Sequence, residues 1–276
     1  NPSNFSANNA SSLVVLDRTR STEVSPPDCT LESDSTIQAA CTTTVTEDRD
    51  IGHITAAPVT NSTSLLHASQ ITMLNNNRWA VVLGNGYNSA NQRPVLLVQY
   101  LDGNKELLTI PTTVDVPGTG KANDNGLSAP RLVDLNGDDR PDIAYAGDNQ
   151  GNMWKFDISS SNATRWSVGL GGHPLFTAQG LPTRTQSDPA TAYRQAITAA
   201  PLVLPHPNGG LMVAFGTGRN LNMNDAADHN AASLDRHGNR LNSFYGIRDL
   251  QKFSFTDTGD VSLDTSTAAP VNSQVR

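Results

Sequence analysis

The chain has 276 residues, a formal net charge of −7 and only 16% charged residues, well below the usual quarter. It carries no run of Lys or Arg, which excludes nucleic acid as a partner, because binding there requires cations that displace counterions from phosphates. No apolar stretch approaches the roughly 18–20 residues needed to span a bilayer. Aromatics are scarce, whereas 21 glycines and 16 prolines sit among many Asn, Ser and Thr. This is the composition of a turn-rich, exported β protein.

In chain order, Ser12-Leu13-Val14-Val15-Leu16-Asp17 reads as the third strand of a preceding unit, so that the chain opens mid-blade. Residues 18–50 are polar and read as a long loop. Cys29 and Cys41 lie in it without CxxC spacing or a nearby His. A disulfide closing a small loop fits them better than a zinc site, which would lack two ligands, and points outside the cytosol.

An internal repeat follows. Ile54-Thr55-Ala56-Ala57-Pro58-Val59, Leu127-Ser128-Ala129-Pro130-Arg131-Leu132-Val133 and Ile197-Thr198-Ala199-Ala200-Pro201-Leu202-Val203 share one pattern, and their prolines stand 72 and 71 residues apart. Each start leads to a short apolar run closing on a glycine-containing end: Trp79–Gly86, Ile143–Asp148 and Leu211–Gly218. Third runs follow at Val95–Tyr100, Asn152–Asp157 and Ser243–Ile247, with further candidates at Glu106–Ile110, Trp166–Val168 and Phe253–Phe255. Short β-branched and aromatic runs bounded by Gly, Asn and Asp are strands. Three or four of them per tandem unit make propeller blades.

The predicted fold is therefore all-β, a modified β-propeller with about three recognisable four-stranded blades near 54–110, 127–170 and 197–256 and long loop insertions. One insertion falls at 222–242, and 257–276 forms a polar tail. No helix longer than two or three turns is expected. Three blades do not close a ring. Either the chain is a fragment, or blades that the pattern does not reveal complete it.

The second unit carries Asp134-Leu135-Asn136-Gly137-Asp138-Asp139-Arg140-Pro141-Asp142 between its first two strands. Oxygen side chains fall at positions 1, 3, 5 and 9, and the main-chain carbonyl of Arg140 at position 7 adds a fifth oxygen. Calcium, a hard cation taking six to eight oxygens, suits this set better than magnesium, which demands a small octahedron and keeps its waters. The acids repel one another without a cation. The loop is not a helical EF-hand, because position 6 is Asp139 rather than Gly and position 12 is Tyr145 rather than Glu. An ordinary acidic turn would also use Asp, Asn and Gly. The corresponding linkers, Thr60 to Arg78 and Leu204 to Gly210, contain no carboxylate, so the acids are not needed for turning.

Gly216-Thr217-Gly218-Arg219 lacks the third glycine of a dinucleotide loop and reads as a strand-ending turn. Asp124-Asn125-Gly126 is another turn. The six histidines show no metal-ligand spacing, and no nucleophile elbow is present.

The blade from Pro130 through the acidic loop to Asp157, together with Phe215-Gly216-Thr217-Gly218-Arg219, resembles the C-terminal domain of the PilY1/PilC proteins of type IV pili, over roughly residues 50–250. The resemblance implies a modified propeller at the end of a large exported protein found in the periplasm, at the outer-membrane surface or on the pilus (fimbrium). It implies roles in pilus biogenesis, in balancing pilus extension against retraction and in surface adhesion, with calcium occupancy of the loop deciding whether retraction is opposed. Implied partners are the pilus machinery (pilins or minor pilins) and a host or abiotic surface. The family's ligand pattern falls on Asp134, Asn136, Asp138, Asp142 and the Arg140 carbonyl, with Asn at position 3 lowering the ligand charge. No Arg-Gly-Asp triplet is present, so integrin binding is not implied. The expected function is non-enzymatic. The competing readings are a quinoprotein-like propeller enzyme and a generic extracellular adhesion or glycan-binding propeller.

Overall fold

The computed structural model describes residues 29–31, 33–56, 59, 67–112, 125–178, 194–221 and 242–266. The Ser12–Asp17 strand, most of the 222–242 insertion and the end of the tail lie outside them.

A short turn at Cys29–Leu31 precedes helix α1 (Ser35–Asp48). Residues 18–50 are thus not all loop, and at 14 residues α1 exceeds the two or three turns expected. Its Thr-rich sequence is a poor helix former, but a local cap and a cross-link hold it. The Asp34 carboxylate accepts from the N–H groups of Thr36 and Ile37 at 2.8 and 3.3 Å, an N-cap. A Cys29–Cys41 disulfide ties its middle to the preceding turn. Among the described residues no helix is long and apolar enough to cross a membrane.

The rest is β. Strand β1 (His67–Ala68) leads into β2 (Ile71–Met73), β3 (Trp79–Gly84), β4 (Val95–Tyr100) and β5 (Leu107–Pro111). The second unit holds β6 (Arg131–Val133), β7 (Ile143–Gly147), β8 (Asn152–Asp157), β9 (Ser167–Val168) and β10 (Phe176–Thr177). The third holds β11 (Leu202–Pro205), β12 (Leu211–Gly216), β13 (Phe244–Asp249), β14 (Phe253–Phe255) and β15 (Val261–Leu263). The first sheet is the antiparallel meander β2-β3-β4-β5. The second has order β1-β6-β7-β8-β10, with β9 also pairing β8. The third comprises β11-β12-β13, and β14-β15 form a separate hairpin. The fold is all-β, a modified propeller whose sheets do not close a ring among the described residues.

Three expectations need correction. The strand opening the first sheet is β2, not the Ile54–Val59 stretch, because Ile71 pairs with Val81 across an Asn-rich turn at 74–78. The blades are not uniformly four-stranded. The second borrows β1 from the chain before the first sheet. The tail expected from 257 contains β15, held by pairing of Phe255 with Val261.

The sheets stack face to face. Strands β7 and β8 are buried on both sides, and alternation of side chains sends successive residues to opposite faces. Leu132, Ala144, Ala146, Trp154 and Phe156 pack with Ala80, Val82, Leu96 and Val98 of the first sheet. Val133, Ile143, Tyr145 and Met153 pack with Val203, Val213 and Phe215 of the third. Across the second interface, Lys155 Nζ donates to Asp249 Oδ2 at 2.7 Å and Tyr145 Oη donates to the same oxygen at 2.5 Å. All three side chains are buried.

The first residues of the second and third repeat starts, ahead of β6 and β11, act as spacers between sheets. Leu127 donates its N–H to Asn85 Oδ1 and accepts from Gly86 N–H, both at 2.9 Å, while Ser128 N–H reaches the Gly147 carbonyl. One unit on, Ile197 N–H donates to the Asp148 carbonyl at 2.9 Å. Strand-ending glycines permit this approach. A Cβ on Gly147 would lie 2.2 Å from Ile197 Cγ2, and one on Gly84 would lie 1.9 Å from the Ser128 carbonyl oxygen. Gly216, at the matching place in the third sheet, has nothing within 4 Å. At this corner the buried Asp148 carboxylate accepts from the Asn125 and Asn152 amides, the Trp154 indole and two main-chain N–H groups. The Asn125 turn therefore serves the corner.

Replacing Gly147 with Ala is expected to cost about 1–3 kcal/mol through overpacking, with Gly216→Ala near neutral, as read by urea denaturation. Asp249→Ala strands a buried ammonium and is expected to cost about 3–5 kcal/mol. A loss below that of an ordinary surface substitution would refute the inter-sheet clasp.

Candidate metal centre

The loop between β6 and β7 is set by its own side chains. Asp134 Oδ1 accepts from the N–H groups of Asn136 and Gly137 at 3.2 and 2.7 Å, and Oδ2 accepts from Asp139 N–H at 2.8 Å. Asn136 Oδ1 accepts from Asp138 N–H, and Asp138 Oδ1 from Arg140 N–H. Each is a side chain turning back onto the backbone two or more residues on, the local habit of Asp and Asn. Gly137 and Asp139 have φ of 79° and 66°, a left-handed region that Gly, and less readily Asp, adopts.

All five sequence-predicted ligands, Asp134, Asn136, Asp138, Arg140 and Asp142, therefore belong to one coiled loop. Asp134 and Asp142 stand at its buried ends, at 3% and 0% exposure. Asp138 is exposed, and Asn136 and Arg140 are half-buried. Among the described residues, no three His, Cys, Asp or Glu side chains are gathered as a metal-holding group. The loop thus brings the carboxylates into one neighbourhood without converging them on a centre.

The electrostatics suit a cation. Burial pushes the Asp142 carboxyl up to about 7, opposed by the Leu135 N–H and reinforced by the charges of Asp134 and Asp138. Burial also raises Asp134, against the N–H groups of Gly137 and Asp139, with Asp138 adding repulsion. Among the described residues none of the three acids has a Lys or Arg partner. The Arg140 guanidinium instead donates to Asn77 Oδ1 at 2.8 Å. Two buried carboxylates, a third acid beside them and no internal counter-charge form an oxygen-rich, electron-rich donor set that fits a hard divalent cation.

Two further neighbours reach the loop, and local sequence gave no sign of either. Asn75, from the β2–β3 turn, points its amide at Pro141 O, Ile158 O and Asp142 Oδ1. On the other side Asn136 Nδ2 donates to the carbonyl of Gly259, in the β14–β15 turn, at 3.1 Å. These contacts cross 66 and 123 residues of chain.

A family model described as the PilY1 beta-propeller domain matches residues 59–275. The chain belongs to the PilY1 family. It is 39% identical over 199 residues to the type IV pilus biogenesis factor PilY1 of Pseudomonas aeruginosa, covering 66% of this chain and 15% of that protein. A PilY1 homolog from Xylella fastidiosa is 34% identical over 188 residues, covering 65% and 12%. The chain thus spans well under a fifth of these relatives. The crystal structure of the P. aeruginosa PilY1 C-terminal domain aligns with a TM-score of 0.56 at 32% identity, covering 75% of this chain and 39% of that one.

The raised Asp142 gives a signed pH dependence. A folded-state value near 7 against an ordinary 3.8 means that the folded state holds the extra proton, so stability falls as pH rises from about 4 to 7. Thermal unfolding in EGTA is expected to show this slope, and Asp142→Asn to flatten it. Parallel pH profiles for the two proteins would contradict the assignment.

Proposed function

We propose that this chain is the calcium-binding propeller of an exported type IV pilus biogenesis and adhesion factor. In this reading it regulates pilus extension against retraction and surface attachment. The observation that carries it is the β6–β7 loop, a nine-residue oxygen-rich coil with two buried, uncompensated carboxylates in a member of the PilY1 family. Asp134, Asn136, Asp138 and Asp142 would hold the ion with their side chains and Arg140 with its carbonyl. Calcium supplies the positive charge that offsets their mutual repulsion, and ordering follows from tighter binding to the ordered loop.

The wider role rests on membership in a family named for type IV pilus biogenesis. Pilins or minor pilins, or a host or abiotic surface, are the corresponding partners. Export to the periplasm, the outer-membrane surface or the pilus is supported by the Cys29–Cys41 disulfide, which persists in oxidising compartments.

Isothermal titration is expected to give one calcium per chain. Asp138→Ala should weaken binding on the order of tenfold or more, since affinity follows ligand charge count. Unchanged binding in the variant would remove the site assignment. Surface pilus number in cells carrying the same substitution in the full-length protein tests the regulatory role. An unaltered number alongside lost binding would reduce the ion to a structural part.

A further inference from the structure

The β2–β3 turn of the first sheet carries three consecutive asparagines, and each has a different task. Asn76 serves its own sheet, its amide donating to Tyr100 Oη at 2.8 Å. Asn77 accepts from the Arg140 guanidinium, a group remote from that residue's carbonyl. Asn75 alone reaches the ligand-bearing arm of the metal loop. Its Nδ2 lies 2.9 Å from Pro141 O, 3.1 Å from Ile158 O and 3.4 Å from Asp142 Oδ1.

The turn presenting Asn75 is firmly held. Leu74 N–H donates to Arg78 O and Asn77 N–H to Leu74 O, both at 2.9 Å. The Arg78 guanidinium lies 3.8 Å over the Tyr100 ring, and its Nε is 2.7 Å from Asp102. Asp142 is consequently gripped from two sides, Oδ2 by Leu135 N–H of its own loop at 2.8 Å and Oδ1 by an amide from another sheet. The chemistry of that amide matters. A Lys or Arg here would neutralise Asp142 and compete with an ion, whereas a neutral donor orients the carboxylate and leaves its charge intact. Groups of this kind hold metal ligands from behind.

We propose that Asn75 is a positioning residue for the metal loop. It orients the last ligand, Asp142, and joins the loop's response to the ion to the first sheet. The inference rests on the calcium reading of the loop, and its test separates the two.

Calcium titration of the 276-residue chain is run on the unaltered protein, Asn75→Ala and Asn77→Ala. Removing a group that orients a metal ligand typically weakens affinity by about 10–100-fold. Asn75→Ala is therefore expected to bind at least about tenfold more weakly, and Asn77→Ala, on the same turn, within about twofold of the original. Loss of turn stability alone would move both variants together. Amide hydrogen exchange on the unaltered chain provides a reading free of any variant. Calcium should slow exchange at Leu74 and Asn77 as well as within 135–140. Equal affinity in Asn75→Ala, an equal fall in both variants, or protection confined to the loop would each overturn the positioning role while leaving the calcium site standing. An unaltered chain that takes up no calcium would overturn both.

Discussion

Burial of the middle sheet on both faces is the constraint from which the rest follows. Strands β7 and β8 have no solvent side, so their alternating residues must satisfy two interfaces at once. Small residues, Ala144 and Ala146, face the first sheet opposite Trp154 and Phe156. Larger ones, Ile143, Tyr145 and Met153, face the third. Two sheets packing on one in this way is how blades stack. It also explains the buried Lys155–Asp249 pair. A charge in that interface requires a partner from the facing sheet, and β13 supplies it. Close stacking forces the corners together as well, and only glycine can occupy the points where one unit's start runs beneath another unit's strand end.

The metal loop inherits its setting from that stacking. It projects from the β6–β7 hairpin, the edge of the sheet flanked on both sides. Turns of the first sheet and of the β14–β15 hairpin therefore close on it from opposite directions, through Asn75 and Gly259. The same burial that removes solvent from Asp134 and Asp142 makes their charges costly without a cation. Desolvation is therefore the physical link between the sheet stack and the ion proposed for this loop. A loop so placed touches both neighbouring units.

Much of this was legible in the sequence for a local reason. The central strands announce themselves as short apolar runs ended by glycine, and β3, β4, β7, β8 and β12 match those runs closely. The residues proposed as ligands lie within nine positions, so their grouping in one loop is a matter of local spacing. Asn75 was not legible, because Asn75-Asn76-Asn77 reads as any polar turn and its acceptors lie 66 to 83 residues away. Nor was α1, whose Thr-rich sequence opposes helix while its cap and disulfide support it. Strand β2 was missed because the Ile54–Val59 stretch carries the repeat-start pattern, whose other two copies do run into opening strands, β6 and β11.

The sequence by itself determined the repeat, the strand-forming runs and the composition of the acidic loop, since each depends on contacts or periodicities within a few residues. Tertiary structure alone decided which faces of the strands meet, that β1 joins the second sheet rather than the first, and which distant groups enclose the loop. Those outcomes depend on desolvation and on donors and acceptors brought together across dozens of residues, and no window of the chain contains both partners.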